Sequence, residues 1–296
     1  MTYVEGFIVP VPKANREEYR RHAADAFPVF EELGVRRHIE AWASDVPEGK
    51  VTDFRKAVQA NEDEDVVFAW FEHGSREARD AFNAKMMADP RMEQMGASMP
   101  FDAKRMIFGG FESMLDRGTP GGGFVDGFVL PVPGGNRDSY LAMAQKASAK
   151  FAEYGALRVV EAWGDDVPDG KVTDFRRAVK AEDGENVVFS WIEWPDKATR
   201  DAAWPKMMED PDMQPDHGNM PFDGKRMFWG GFDIIVDKTA REPAEHAPGA
   251  GREPARAPAP HRALQDPGDT RRGAPRRRRP VLGRCGARGL RARAAA

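Results

Sequence analysis

Cysteine is almost absent from the 296-residue chain, and the only one, Cys285, lies in its last segment. No disulfide can form within the chain, and no thiolate metal site exists. No apolar run approaches the roughly 18 residues of a membrane-spanning helix, so no membrane segment is expected. The first residues, MTYVEGFIVPVP, lack a basic segment and carry Glu5 inside a short apolar run. They read as a strand rather than a signal peptide, so a cytoplasmic location is the default expectation. No G-x-G-x-x-G, P-loop, paired-cysteine or H-E-x-x-H pattern occurs, so no cofactor and no metal is expected.

Lysine is missing from residues 239–296, which hold 14 Arg against 5 acids, a net of +9. Residues 1–117 hold 16 Lys+Arg against 22 Asp+Glu, a net of −6, and residues 118–238 hold 14 against 21, a net of −7. Two acidic regions argue against a nucleic-acid surface there, because phosphate contact needs clustered Lys and Arg. The last 58 residues also lack Phe, Tyr, Trp, Ile and Met. Such a composition cannot bury enough apolar surface to fold, and a disordered tail is expected from about Thr239. Arg without Lys also suits an out-of-frame reading of GC-rich DNA.

What is present is a repeat. Glu40 to Ala60, EAWASDVPEGKVTDFRKAVQA, returns 121 residues later as Glu161 to Ala181, EAWGDDVPDGKVTDFRRAVKA. Aligned without a gap from Tyr3 to Leu115, the two copies agree at 56 of 113 positions. The chain is therefore an internal duplication, with units at 1–117 and 124–238 and the Gly-rich linker GTPGGG at 118–123.

Within a unit, Tyr3 to Pro12 reads as a strand closed by prolines. A helix follows, capped by Asn15 with Glu18 as in a capping box, with Tyr19, Ala23, Ala26, Phe30 and Leu33 on one face. Pro28 is expected to bend it, and Gly34 closes it. A second strand spans Val35 to Ala43. Thr52 to Ala60 is read as an extended arm. VVFAWFE, Val66 to Glu72, is apolar on both alternating faces, as in a strand covered on both sides. A helix from Ser75 ends before Asp89-Pro90, and its counterpart is expected to kink at Pro205. A loop then leads to the last strand, whose Gly109-Gly110, repeated as Gly230-Gly231, suggests a bulge or a close backbone approach.

The fold class is α+β: two ferredoxin-like β-α-β-β-α-β units packed sheet to sheet as a pseudo-dimeric barrel in one chain, followed by the tail. Two domains that each pair with another chain are the alternative, and further self-association is left open.

The blocks EAWxxDVPxGKVTDFRxAV, VVFxWxE, KMMxDPxM and MPFDxKRMxxGGF resemble those of the bacterial YbaA-like family. That family is a domain of unknown function in the dimeric α+β-barrel superfamily. The resemblance covers each unit nearly end to end. It implies that this tandem chain supplies both halves of a dimer usually built from two single-unit chains. The second unit looks closer to the family pattern, and the tail has no match. The family brings no established activity, so no catalytic residue is carried over.

Candidate pocket residues are chosen on pattern. Glu40 and Trp42 lie two apart on a strand and face the same way, as do Glu161 and Trp163. A carboxylate beside an indole on an apolar face is a candidate acid or base. The plainer expectation pairs it with Arg105 or Arg55 to seal the barrel end. Asp53 with Arg55, and Asp174 with Arg176, suit either an anionic ligand or an ion pair that locks the arm. Lys104-Arg105 and Lys225-Arg226, before each last strand, are weighed the same way. His22, His38 and His73 align with Met143, Val159 and Trp194, and His217 aligns with Gly96. No histidine is shared, so a symmetric histidine site is excluded while specialisation of one copy stays open. The Met residues of KMMADPRM and KMMEDPDM suit packing.

Two functions remain: a small-molecule-binding or assembly module using the barrel interior, or a cofactor-independent enzyme acting on a small organic substrate. Monooxygenases and isomerases of the wider superfamily supply the second by fold analogy alone. A deep pocket beside Glu40 or Glu161 favours the enzyme, and a barrel filled by Phe68, Trp70, Phe189 and Trp191 favours the structural reading.

Overall fold

A computed structural model describes residues 2–214 and 220–241. The expected disordered tail falls almost wholly on 242–296, and His217 on 215–219, outside the described residues.

The first repeat runs β1 (Tyr3–Pro12), α1 (Arg16–Leu33), β2 (Arg37–Asp45), α2 (Phe54–Ala57), β3 (Glu64–His73), α3 (Arg76–Ala88), α4 (Pro90–Ala97) and β4 (Ile107–Gly118). The second runs β5 (Phe124–Pro133), α5 (Arg137–Glu153), β6 (Arg158–Asp166), α6 (Phe175–Ala178), β7 (Glu185–Trp194), α7 (Lys197–Glu209) and β8 (Phe228–Thr239). All neighbouring strands are antiparallel, and they close into one barrel in the order β1-β3-β2-β8-β5-β7-β6-β4. Each repeat therefore ends by hydrogen bonding its last strand to the second strand of the other, β4 to β6 and β8 to β2. Closure removes the free sheet edges that a single repeat would expose.

The alternation of β3 explains its two apolar faces. Val66, Phe68 and Trp70 point into the barrel with the core of both repeats, while Val67, Ala69 and Phe71 join the clusters under the helices. Inside, Phe68 stacks on Phe189 at 4.5 Å between centroids, and Trp70 meets Trp191 at 4.4 Å. Each such pair adds about 0.5–1.5 kcal/mol beyond burial. The stack needs Gly6 and Gly127, since a Cβ at either would lie 2.9–3.0 Å from the Phe of the other repeat.

Both barrel ends are sealed by exchange between repeats. At one end Arg37 makes two 2.8 Å hydrogen bonds to Glu193, and Arg158 bonds Glu72 at 2.7 and 3.1 Å. The Trp70 and Trp191 indoles donate to Glu72 and Glu193. At the other end the arms cross: Thr52 donates to Ala178 O at 2.6 Å and Thr173 to Ala57 O at 2.8 Å. Phe54 packs on Phe228 and Phe232 of the second repeat, and Phe175 on Phe111 of the first.

Several local expectations change. The arm is not extended throughout, because Asp53 accepts from Lys56 N and caps the single helical turn α2. Asn15 does not cap α1; its amide donates to Pro100 O and ties the helix start to the loop before β4. The α-helix runs unbroken across Pro28, and α7 across Pro205. Asp89 caps a further helix, α4, with Pro90 at its first position. The linker between the repeats is tied to the second one through Thr119 N to Leu157 O and Gly121 N to Glu193. Thr239 still belongs to β8, and Ala240 N donates to Arg36 O. The paired glycines give both expected features: the β4–β6 register shifts at Gly110/Phe111, and a Cβ at Gly110 would meet Tyr3 and Arg79.

Candidate functional site

A cavity beside Glu40 lies outside the barrel. The interior expected to hold a ligand is filled by aromatic rings and closed at both ends, which corrects that placement. A cavity of about 430 Å³ instead separates the outer face of the first repeat's strands from its helices. β2 sends Arg37, Ile39 and Ala41 inward and His38, Glu40 and Trp42 outward, so the period of two places His38 and Glu40 on the cavity wall. Tyr19, His22, Ala23, Ala26 and Phe30 of α1 face them at helical spacing. Asn83 and Met86 of α3, Met92 and Met95 of α4, and Phe101 and Met106 of the following loop complete the mouth.

One hydrogen-bonded chain crosses this wall. Tyr19 OH donates to Glu40 Oε2 at 2.7 Å, and Glu40 Oε1 lies 2.7 Å from His38 Nε2. Burial, then the Glu40 charge, pushes the Tyr19 phenol well above its ordinary value, so it stays a donor. His38 is 1% exposed, lies among Phe27, Phe30 and Phe71, and leaves Nδ1 without a partner. Glu5, on the same face of β1, accepts from Asn83 at 3.1 Å. Burial raises its carboxyl above the ordinary value, against the Asn83 bond and the Arg79 charge.

The second repeat keeps half of this arrangement. Tyr140 OH donates to Glu161 Oε2 at 2.7 Å, but Val159 stands where His38 does. Burial pushes Glu161 up to about 7, opposed by the Tyr140 and Ser190 hydroxyls. On the corresponding face of the second repeat, Trp204, Met207, Met213, Phe128, Phe151, Val159 and Ile192 form one apolar cluster. Trp204, aligned with Asn83, tilts onto Trp229, aligned with Phe108, with centroids 5.9 Å apart. Both Trp204 and Trp194 donate to Asp126, the counterpart of Glu5.

The eight residues singled out on pattern do not form one site. Glu40 lines the cavity. Trp42 packs edge-on to Tyr19 and donates to Asp65, and Trp163 lies under Arg137. The expected partnership of Glu40 with Arg105 or Arg55 is absent, because Glu40 faces α1 while both arginines sit where the arm meets β3. Arg105 chelates Glu64 at 2.6 and 2.7 Å, and Arg226 chelates Glu185 at 2.6 and 2.7 Å. Arg55 donates to the carbonyls of Glu64 and Asn61, and Arg176 to that of Glu185. These four arginines tie the arms to β3 and β7.

Sequence reasoning missed Tyr19, His22 and His38 as a group, although the loss of His22 and His38 from the second copy was the available signal. It also missed Arg37, Glu72, Arg158 and Glu193, which recur in both copies and which the repeat alone could have marked. Among the described residues no group of three or more His, Cys, Asp or Glu could hold a metal ion, and no helix is long and apolar enough to cross a membrane.

A family described as proteins of unknown function, DUF1428, matches twice, over residues 2–103 and 123–224. The chain belongs to this family. The uncharacterised protein YbaA of Escherichia coli K12 is 61% identical over 116 residues, 39% of this chain and 99% of its own length. The YbaA of Shigella flexneri matches with the same figures. The tandem chain thus holds two units of a size that YbaA holds once. Among solved structures, a protein named only provisionally as a monooxygenase, from Lactobacillus acidophilus, is 10% identical over 81% of this chain and 96% of its own, with a TM-score of 0.49. An anthrone oxidase-like protein is 11% identical over 81% and 94%, with a TM-score of 0.48. No chemistry is carried over from either.

Proposed function

We propose that the protein binds a small, mainly apolar organic molecule in the cavity of its first repeat. The observation that carries this reading is a carboxylate, Glu40, held between a phenol and an imidazole on the wall of a largely apolar space of about 430 Å³. Binding sites for small molecules combine such an apolar lining with a few placed polar groups. Maintenance of the fold does not need the imidazole of this chain, because the second repeat keeps the same strands and the Tyr140–Glu161 pair with Val159 in place of His38. Flexible Met side chains at the mouth suit a ligand of variable shape.

The same hydrogen-bonded chain supports a second reading, cofactor-independent proton transfer on the bound molecule. Phenol, carboxylate and imidazole in series offer one proton a path between cavity and protein. Exchange of an acidic ligand C–H for deuterium, followed by NMR and lost in His38→Val, distinguishes turnover from binding.

Binding itself is tested with the neutral fluorescent probe N-phenyl-1-naphthylamine. The expected result is saturable enhancement with one site per chain, since the Trp204 cluster occupies the corresponding face of the second repeat among the described residues. Two equal sites, or no saturable binding, contradicts the proposal.

A further inference from the structure

The polar character of the cavity is one-sided. Its lining includes Glu5 and Glu40, respectively 4% and 7% exposed, and neither Lys nor Arg. Glu5 uses only Oε1, for Asn83, and its Oε2 lies 4.0 Å from His73 Nε2, beyond hydrogen-bond reach. Arg79, whose charge acts on Glu5, is engaged by Tyr3 OH at 2.9 Å and by Asp166 at 2.7 Å. His38 Nε2 lies 2.7 Å from Glu40 Oε1, and the buried His38 Nδ1 has no partner. Glu5 Oε2 therefore offers the cavity a free carboxyl oxygen. A buried polar atom without a partner is costly, so a ligand that brings donors is favoured over one that brings acceptors.

Aromatic faces add to this bias. Phe30, Phe71 and Phe108 line the same space, and ring faces attract cations. A carboxylate or phosphate would meet two acidic side chains and neither Lys nor Arg to offset its desolvation.

We infer that the first-repeat cavity selects an organic ammonium: a protonated primary amine on an aryl- or alkyl-sized apolar body, with its N–H groups directed to the free oxygen of Glu5 in a cavity that Glu40 also lines. This inference rests on the binding function proposed above. Burial holds Glu5 above its ordinary pKa, and an incoming cation would supply the counter-charge that the folded chain withholds.

The test compares 2-phenylethylamine, 2-phenylethanol and 3-phenylpropionate by calorimetry at pH 7 on the full chain. The amine is expected to bind about tenfold or more tightly than the alcohol, as charge-assisted hydrogen bonds exceed neutral ones, and the carboxylate is expected not to bind. Glu5→Gln and Glu40→Gln should each weaken the amine severalfold and narrow its advantage over the alcohol, with far-UV circular dichroism certifying that the variants are folded. If the alcohol or the carboxylate binds as well as the amine, the charge inference is overturned while the cavity reading stands. If neither these compounds nor N-phenyl-1-naphthylamine binds, the cavity reading falls and takes this inference with it.

Discussion

Arg37 of the first repeat and Glu193 of the second face each other across the inside of the barrel through two hydrogen bonds of 2.8 Å. Arg37 is 3% exposed and Glu193 fully buried. Burial opposes the charge on Arg37, but the bonds to Glu193 and Asp237 outweigh it and hold the guanidinium charged. The two halves of the duplication are joined by this pair and by its mirror, Arg158 with Glu72.

Breaking one side of such a pair leaves a buried charge uncompensated. Arg37→Met is expected to lower stability in urea unfolding by about 3–5 kcal/mol. Arg37→Met combined with Glu193→Leu should cost clearly less than the sum of the single changes. Additive losses would show that the two residues do not depend on each other.

Gly6 exists to let Phe189 approach, and a Cβ there would lie 2.9 Å from its ring. Gly6→Ala is expected to destabilise by about 1–3 kcal/mol through overpacking, despite the better strand propensity of alanine. An unchanged urea midpoint would mean that the Phe68–Phe189 stack yields easily.

Glu161 and His73 titrate against each other. Burial lifts Glu161 from an ordinary 4.5 to about 7, so the folded chain keeps a proton that the unfolded chain releases. Its stabilising contribution is full below 4.5 and is lost as pH rises toward 7. His73 is pushed from 6.5 to about 4 by burial, then by Arg79 and Arg36. Its contribution is full above 6.5 and is lost as pH falls toward 4. Glu161→Gln removes the first slope and leaves the second. The variant should therefore gain stability from pH 4.5 to 6.5 more steeply than the natural chain, and exceed it at pH 8 by about 1–3 kcal/mol. Parallel curves for the two proteins would contradict the buried, partly neutral carboxyl.

The strands and the long helices were legible because their periods of 2 and 3.6 recur in both copies. The barrel was legible from Val66 to Glu72, a strand apolar on both faces. Thr52 to Ala60 was misread because a single turn has no period, and its helix depends on the Asp53 cap. Asp89-Pro90 was read as a stop, although the same pair starts α4. The cavity was hidden for a different reason. It exists where the copies differ, at Asn83 against Trp204, Phe108 against Trp229 and His38 against Val159, whereas attention to shared residues led to Arg55, Arg105, Arg176 and Arg226.

That difference provides the most direct measurement. Asn83→Trp places in the first repeat the side chain with which the second repeat fills its own face. N-phenyl-1-naphthylamine titrations, with the melting temperature followed in parallel, should show affinity falling by about tenfold or more, in keeping with loss of buried apolar contact, while the fold melts no earlier. Undiminished binding of the probe by a well-folded Asn83→Trp chain would contradict a ligand site between these helices and the sheet.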